Sequence, residues 1–261
     1  MHAIRNFSTL VSVATLALLA ACGAKRETIT GFEQLAGGKQ FAVPTGTVAD
    51  QLVTSAIPDA KFLYFNTVLD AALAVKAGKA DAAAYDEPIL RNIAGKNPGL
   101  TVISRKITVD NYGFAARLDD AATLAATDAV ISEINADGRY AQMLQRWLPA
   151  AGAPAAMPAL TTAGEEVLRF GTAAVTEPFS FVDGSQQVVG LDVEIATLVA
   201  QKLGKRLEIV NMEFGALIPA LAAGKVDLIG ACITITPERA KSVAFSKPYY
   251  QGGIAALVRA P

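Results

Sequence analysis

The sequence predicts an α/β fold of two lobes, each a mostly parallel sheet flanked by helices. Three observations carry this expectation. Short apolar, β-prone runs alternate with helix-period runs over most of the chain. One helix–turn–strand pattern recurs in both halves. Between the halves lies a stretch from Pro149 to Glu165 that is rich in alanine and proline, poor in charge and without period, as a linker is.

Taken in order, Phe41-Ala42-Val43 reads as a short buried strand, and Thr45-Gly46-Thr47 turns from it into a helix beginning near Val48-Ala49-Asp50. Lys61 to Tyr64 is predicted as strand, Val68 to Ala77 as helix and Ala80 to Ala84 as strand. Asp119 to Ile134 and Tyr140 to Trp147 are predicted as helices, broken at Asn135-Ala136-Asp137-Gly138. After the linker, Leu168 to Gly171 is strand-like, Leu191 to Leu203 helical and Arg206 to Val210 strand. Ala216 to Ala223 then reads as helix, Val226 to Ile229 as strand and Ile254 to Val258 as a last strand.

The recurrence is Leu73 to Asp81 against Leu217 to Asp227. In each, an apolar helix closes on Ala-Gly-Lys, and an aspartate follows one residue later, before a strand. Gly78 and Gly224 suit the left-handed position after a helix end, and the lysine beside each complements the helix dipole. Two lobes built on one plan produce such an echo; an alanine-rich chain can also produce it by chance.

Composition bounds the function. A hydrophobic fraction of 52% with 18% charged residues suffices for packed cores and argues against disorder. A formal net charge of -1, without internal basic runs, leaves no electrostatic footprint for nucleic acid. The only histidine is His2, so a mature site has no histidine base or metal ligand, and no metal or cofactor is expected.

The amino terminus reads as a secretory signal over 1–21, with Arg5 as the positive region and Leu10 to Ala21 as an apolar stretch too short to span a bilayer. Leu19-Ala20-Ala21-Cys22-Gly23 resembles a bacterial lipobox, which implies acylation of Cys22, a tether over 22–30 and a membrane-anchored protein in the periplasm or at the cell surface. Cys232, between apolar residues, then has no disulfide partner and reads as a buried, inert thiol.

Ligands of open parallel sheets gather beyond the carboxyl ends of strands. Thr45-Gly46-Thr47 offers hydroxyls and backbone donors there, although such turns also simply cap helices. Asp86, in Tyr85-Asp86-Glu87-Pro88, can hold an ammonium or equally cap the next helix, with Pro88 in its first turn. Arg239, in Thr234-Ile235-Thr236-Pro237-Glu238-Arg239, can grip a carboxylate with two parallel hydrogen bonds, or pair with Glu238 in solvent.

These strings resemble family 3 extracellular solute-binding proteins of amino-acid ABC transporters, whose fold is of the periplasmic binding protein type II class. The likeness runs through Phe170-Gly171-Thr172, Pro178-Phe179-Ser180-Phe181, Val189 to Glu194, Leu217 to Leu221 and Gly224 to Asp227. It continues in Thr234 to Ala240 and Phe245-Ser246-Lys247-Pro248-Tyr249-Tyr250. Phe32 to Gly37, Val43 to Thr47 and Ala80-Asp81-Ala82 resemble the other lobe, and Asp137 to Tyr140 with Trp147 resemble the family's last helix. The order differs from the family's, which implies a circular permutant. Lobe 2 would span 31–110 and lobe 1 would span 111–261, with 148–166 joining the usual termini. Ile254 to Val258 would pair beside the crossover around Thr108 to Arg117 at the lobe boundary.

The resemblance implies that Arg239 holds a ligand carboxylate, assisted by Thr234, the backbone near Cys232 and, from the opposite lobe, Thr47. Asp86 would receive an ammonium and Phe214 would form an aromatic wall. Ala173, where many members carry an acid, Thr176, where an aromatic is common, and Pro44, in place of a polar or basic residue, imply an altered side-chain pocket with Thr176 in it. The partners implied are an amino acid, an inner-membrane ABC permease and the membrane itself through the anchor, for a monomer. A ligand sensor on the same cleft is one alternative. A dehydratase-like enzyme is another, with Glu87, Glu177 or Glu213 as its acid or base.

Overall fold

The computed structural model describes residues 28–149 and 154–261; the signal, Cys22 and most of the tether lie outside the described residues. The first part carries β1 (Gln40–Pro44), α1 (Ala49–Ala56), β2 (Lys61–Phe65), α2 (Val68–Lys76), β3 (Ala82–Asp86), α3 (Glu87–Lys96) and β4 (Leu100–Val102). It continues through β5 (Asn111–Tyr112), β6 (Ala115–Ala116), α4 (Ala121–Ala136) and α5 (Arg139–Trp147). Beyond the linker come β7 (Val167–Thr172), β8 (Val175–Thr176), β9 (Ser180–Val182), β10 (Val188–Val189), α6 (Leu191–Leu203) and β11 (Arg206–Asn211). The last elements are α7 (Leu217–Ala222), β12 (Leu228–Ile229), β13 (Ala244–Phe245), β14 (Tyr250–Gln251) and β15 (Ile254–Arg259).

Two five-stranded sheets organise these elements. In the first, of order β2-β1-β3-β15-β4, β1 runs parallel to β2 and β3 while β15 is antiparallel to β3 and β4. In the second, of order β11-β7-β12-β6-β13, β7 runs parallel to β11 and β12, and β6 is antiparallel to both its neighbours. Helices cover both sheets, so the α/β expectation holds, but each sheet is mixed rather than mostly parallel, because the antiparallel strands β15 and β6 enter it. The expected division placed 254–259 with the later lobe, yet β15 sits inside the first sheet. Its residues Ile254 to Val258 are wholly apolar and buried, and a position between two strands gives such a run both apolar cover and hydrogen-bond partners.

The repeated motif has one physical form in both places. Gly78 (φ 71°) and Gly224 (φ 67°) take the left-handed conformation that a glycine adopts without penalty. Lys79 then donates its N–H to Ala74 at 2.8 Å, and Lys225 donates to Ala220 at 2.9 Å, closing each helix. Asp81 accepts the N–H of Gln40 at the start of β1 (2.8 Å), and Asp227 accepts that of Arg169 in β7 (3.0 Å). Each aspartate thus ties the incoming strand to its neighbour.

Two segments cross between the sheets side by side. Ile107 and Thr108 donate to the Ile254 carbonyl (2.7 and 3.2 Å), Gly252 donates to Asp110 (2.8 Å), and β5 pairs antiparallel with β14. A buried apolar cluster including Tyr85, Tyr112, Phe114, Phe170 and Phe179 runs through this crossing from one sheet to the other. On the far side of the second sheet, α5 rests on α6. Glu194 accepts both guanidinium hydrogen bonds from Arg146 (2.7 and 2.9 Å) and the Trp147 indole N–H (2.6 Å). The described part of the linker follows the same face, with Ala155 donating to the Arg146 carbonyl (3.0 Å) and Gln201 to that of Thr161 (2.7 Å).

Candidate functional site

The turns after β1, β3 and β12 converge on one cleft lined by Thr47, Val48, Ala49, Tyr85, Asp86, Phe214, Cys232, Thr234, Arg239 and Ile254. Thr47 to Ala49 open α1, where backbone N–H groups have no partner within the helix. Asp86 ends β3 and stands at the N-cap position of α3, with Pro88 inside the first turn, but its side chain makes no capping hydrogen bond and points instead to Tyr112. Phe214 opens a single 3-10 turn ahead of α7, and Arg239 opens another after the Thr234 to Glu238 loop.

Arg239 is held rather than free. Its Nη1 donates to the Thr234 carbonyl at 3.0 Å, its guanidinium carbon lies 5.4 Å from the Phe214 ring centroid, and its N–H reaches the Thr236 hydroxyl at 3.2 Å. Burial lowers its pKa, while Tyr85 and Asp86 from the first sheet oppose that shift. Its ion pair with Glu238, a possibility in the sequence, does not form, because Glu238 is engaged by Lys241.

Asp86 is 4% exposed. Burial pushes its pKa up to about 7; the Tyr112 hydroxyl, which donates to its Oδ1, and the more distant Arg239 hold it down, and Asp110 adds to the rise. Tyr112 belongs to the crossing: its hydroxyl also accepts the Gly253 N–H (3.1 Å), and its backbone bridges to Thr234. No local pattern marks this residue, since it reaches Asp86 from the two-residue strand β5 in the crossing segment, which exists only through its pairing with β14. Tyr85, Val48, Ala49 and Ile254 were likewise absent from the expected set.

Cys232 sits at φ 54°, a left-handed conformation unusual for a non-glycine, and its N–H is held by Asp192 Oδ2 at 3.1 Å. Burial raises its thiol pKa well above the ordinary range, as expected of an inert cysteine. Asp192, fully buried in the first turn of α6, is itself pushed up to about 7 by burial, with Tyr249 and the Cys232 N–H acting against the shift. Thr176 does not join the lining residues. It is 1% exposed, and its hydroxyl donates to the Ala173 carbonyl at 3.0 Å, behind the cleft wall. Where a larger aromatic ring would project from such a place, this short side chain is consumed by its own turn.

The two sides of the cleft meet closely at one point. Gly46 adopts φ +78°, and a Cβ there would lie 2.9 Å from the Gly215 Cα. At the rim, Lys96 of α3 pairs with Glu177 of the second sheet's side.

The sequence profile of bacterial extracellular solute-binding proteins, family 3, matches residues 168–261, the stretch that supplies Phe214, Cys232, Thr234 and Arg239. This segment, about a third of the chain, is similar to that family. The chain is 44% identical over 87 residues to "Arginine-binding extracellular protein ArtP" of Bacillus subtilis (strain 168), covering 33% of this chain and 34% of that protein. The "ABC transporter glutamine-binding protein GlnH" of the same organism is 27% identical, over 55% of this chain and 51% of its own length. Among solved structures, the arginine-bound form of domain 1 from TmArgBP is 45% identical, covering 36% of this chain and 79% of that one, with a TM-score of 0.32. The chain thus spans little more than a third of the length of the first curated relatives it matches. Among the described residues, no helix is long and apolar enough to cross a membrane, and no group of three or more His, Cys, Asp or Glu side chains is placed to hold a metal.

Proposed function

We propose that this protein is an extracytoplasmic solute-binding component that captures an α-amino acid between two lobes and presents it to an ABC uptake permease. The observation that carries the reading is the placement of Arg239 and Asp86 on opposite sides of one cleft. An α-amino acid bears both complementary charges. Arg239 would take the carboxylate through its planar fork, with Thr234, the Cys232 region and Thr47 around it, and Asp86 would take the ammonium. Phe214, already against the guanidinium, would wall the ligand's side chain. The paired crossing segments would serve as the hinge, where a few backbone torsions absorb closure. The names of the relatives support transport of amino acids, and binding rather than catalysis.

The lobe division, the permuted order and the monomeric state are parts of the same proposal. What supports the permuted order is that the family 3 match lies after, not before, the segments that resemble the family's other lobe and last helix. The lipid anchor belongs to it too: Cys22→Ser should abolish lipid labelling and release the protein from the membrane fraction, and an unlabelled wild type would refute the assignment.

Calorimetric titration with amino acids tests the clamp. Truncating one member of a buried charged pair typically costs about 2–5 kcal/mol, so Arg239→Ala should weaken binding on the order of a hundredfold or more. Equal affinity in the variant and the wild type would place the carboxylate elsewhere.

A further inference from the structure

The similar proteins are named for several different amino acids, so likeness alone does not say which kind this cleft holds. The charge inventory of the cleft does. Of the residues that line it, Arg239 is the only cation and Asp86 the only acid; the others are Thr47, Val48, Ala49, Tyr85, Phe214, Cys232, Thr234 and Ile254, all neutral. On the Phe214 flank the lining continues with Gly46, Gly215, Leu217, Ile218 and Ile233, with Arg239 again its one charge.

Glu213, beside Phe214, is exposed and does not line the cleft, and the other acids just beyond this lining are engaged elsewhere. Glu87 pairs with Arg91 and Lys106, Glu177 with Lys96, Asp110 takes the Thr108 hydroxyl, and Asp192 holds the Cys232 N–H. The nearby lysines are the partners of those same acids. Once the carboxylate and ammonium of an amino acid have taken Arg239 and Asp86, no lining residue is left to offer an opposite charge to a third. A charge buried without a partner costs several kcal/mol, and the neutral, largely apolar lining supplies nothing to offset it.

We infer that the ligand is an α-amino acid with an uncharged side chain, in contrast to the arginine for which several of the similar proteins are named. The inference rests on the amino-acid reading above and narrows it.

The test is a titration panel at neutral pH on the wild-type chain, unfolded and refolded beforehand to strip any carried-over ligand. The probes are glycine, alanine, serine, threonine, valine, leucine and glutamine against arginine, lysine, aspartate and glutamate. The expected result is that the tightest binder is neutral and that each charged side chain binds weaker by on the order of a hundredfold. A charged member binding as tightly as the best neutral one overturns the inference and leaves the amino-acid reading standing. If no member of the panel binds, the amino-acid reading falls and the inference falls with it.

Discussion

At the scale of single residues, two buried carboxyls set the chemistry around the cleft. Asp86 and Asp192 are each raised by burial from 3.8 to about 7, so the folded protein holds protons there that the unfolded chain has already released. Between about pH 4 and 7 the native state binds more protons than the unfolded state, and these two groups make stability fall as pH rises through that window. The exposed acids Asp137 and Asp183 are shifted the other way: backbone hydrogen bonds from Arg139 and Gln187, respectively, lead in lowering their pKa, so their contribution is lost only below the ordinary carboxylate range. Asp192→Asn keeps an acceptor for the Cys232 N–H while removing the titration. Its thermal midpoint should therefore gain on the wild type's as pH is raised from 4 to 8. Parallel midpoints across that range would show that Asp192 titrates normally.

At the scale of elements, most of the regular structure was legible and much of the short structure was not. The helix expected over Leu191 to Leu203 has those bounds, and the glycines closing two helices adopt the expected left-handed geometry, because periodicity and capping are local properties. The strand expected at Ala80 to Ala84 begins instead at Ala82, since Asp81 is spent on tying down β1. The two-residue strands β5, β6, β8, β10, β13 and β14 went unforeseen, because pairs so short exist only through their partners. The same logic hid Tyr112. The turn between β1 and α1 gives a direct test at this scale. In Gly46→Ala a methyl group would meet Gly215 Cα across the cleft, and a left-handed alanine costs roughly 1–2 kcal/mol on its own. Amino-acid affinity should fall by more than that local strain explains, and small-angle scattering with saturating ligand should show a wider molecule than the wild type. Unchanged affinity and dimensions would mean that the glycines do not set the closed distance.

At the scale of the whole molecule, the α/β character was readable from the alternation of elements, whereas the membership of each sheet was not. The division after residue 110 assumed that neighbours in sequence share a sheet, and β15 breaks that assumption by hydrogen bonding into the first one. β6 lies where that division puts it, between β12 and β13 in the second sheet, although it precedes the linker that separates it from the other strands of that sheet. Each sheet therefore carries, away from its edges, a strand delivered from across the linker. This exchange has a consequence for how the protein comes apart. Proteins with two sheets often melt in steps, one body before the other. Here neither sheet can lose its neighbour and stay whole, so heat should release them together. Differential scanning calorimetry should record a single endotherm whose calorimetric enthalpy equals its van't Hoff enthalpy. Two resolved peaks would mean that each sheet survives the withdrawal of its borrowed strand.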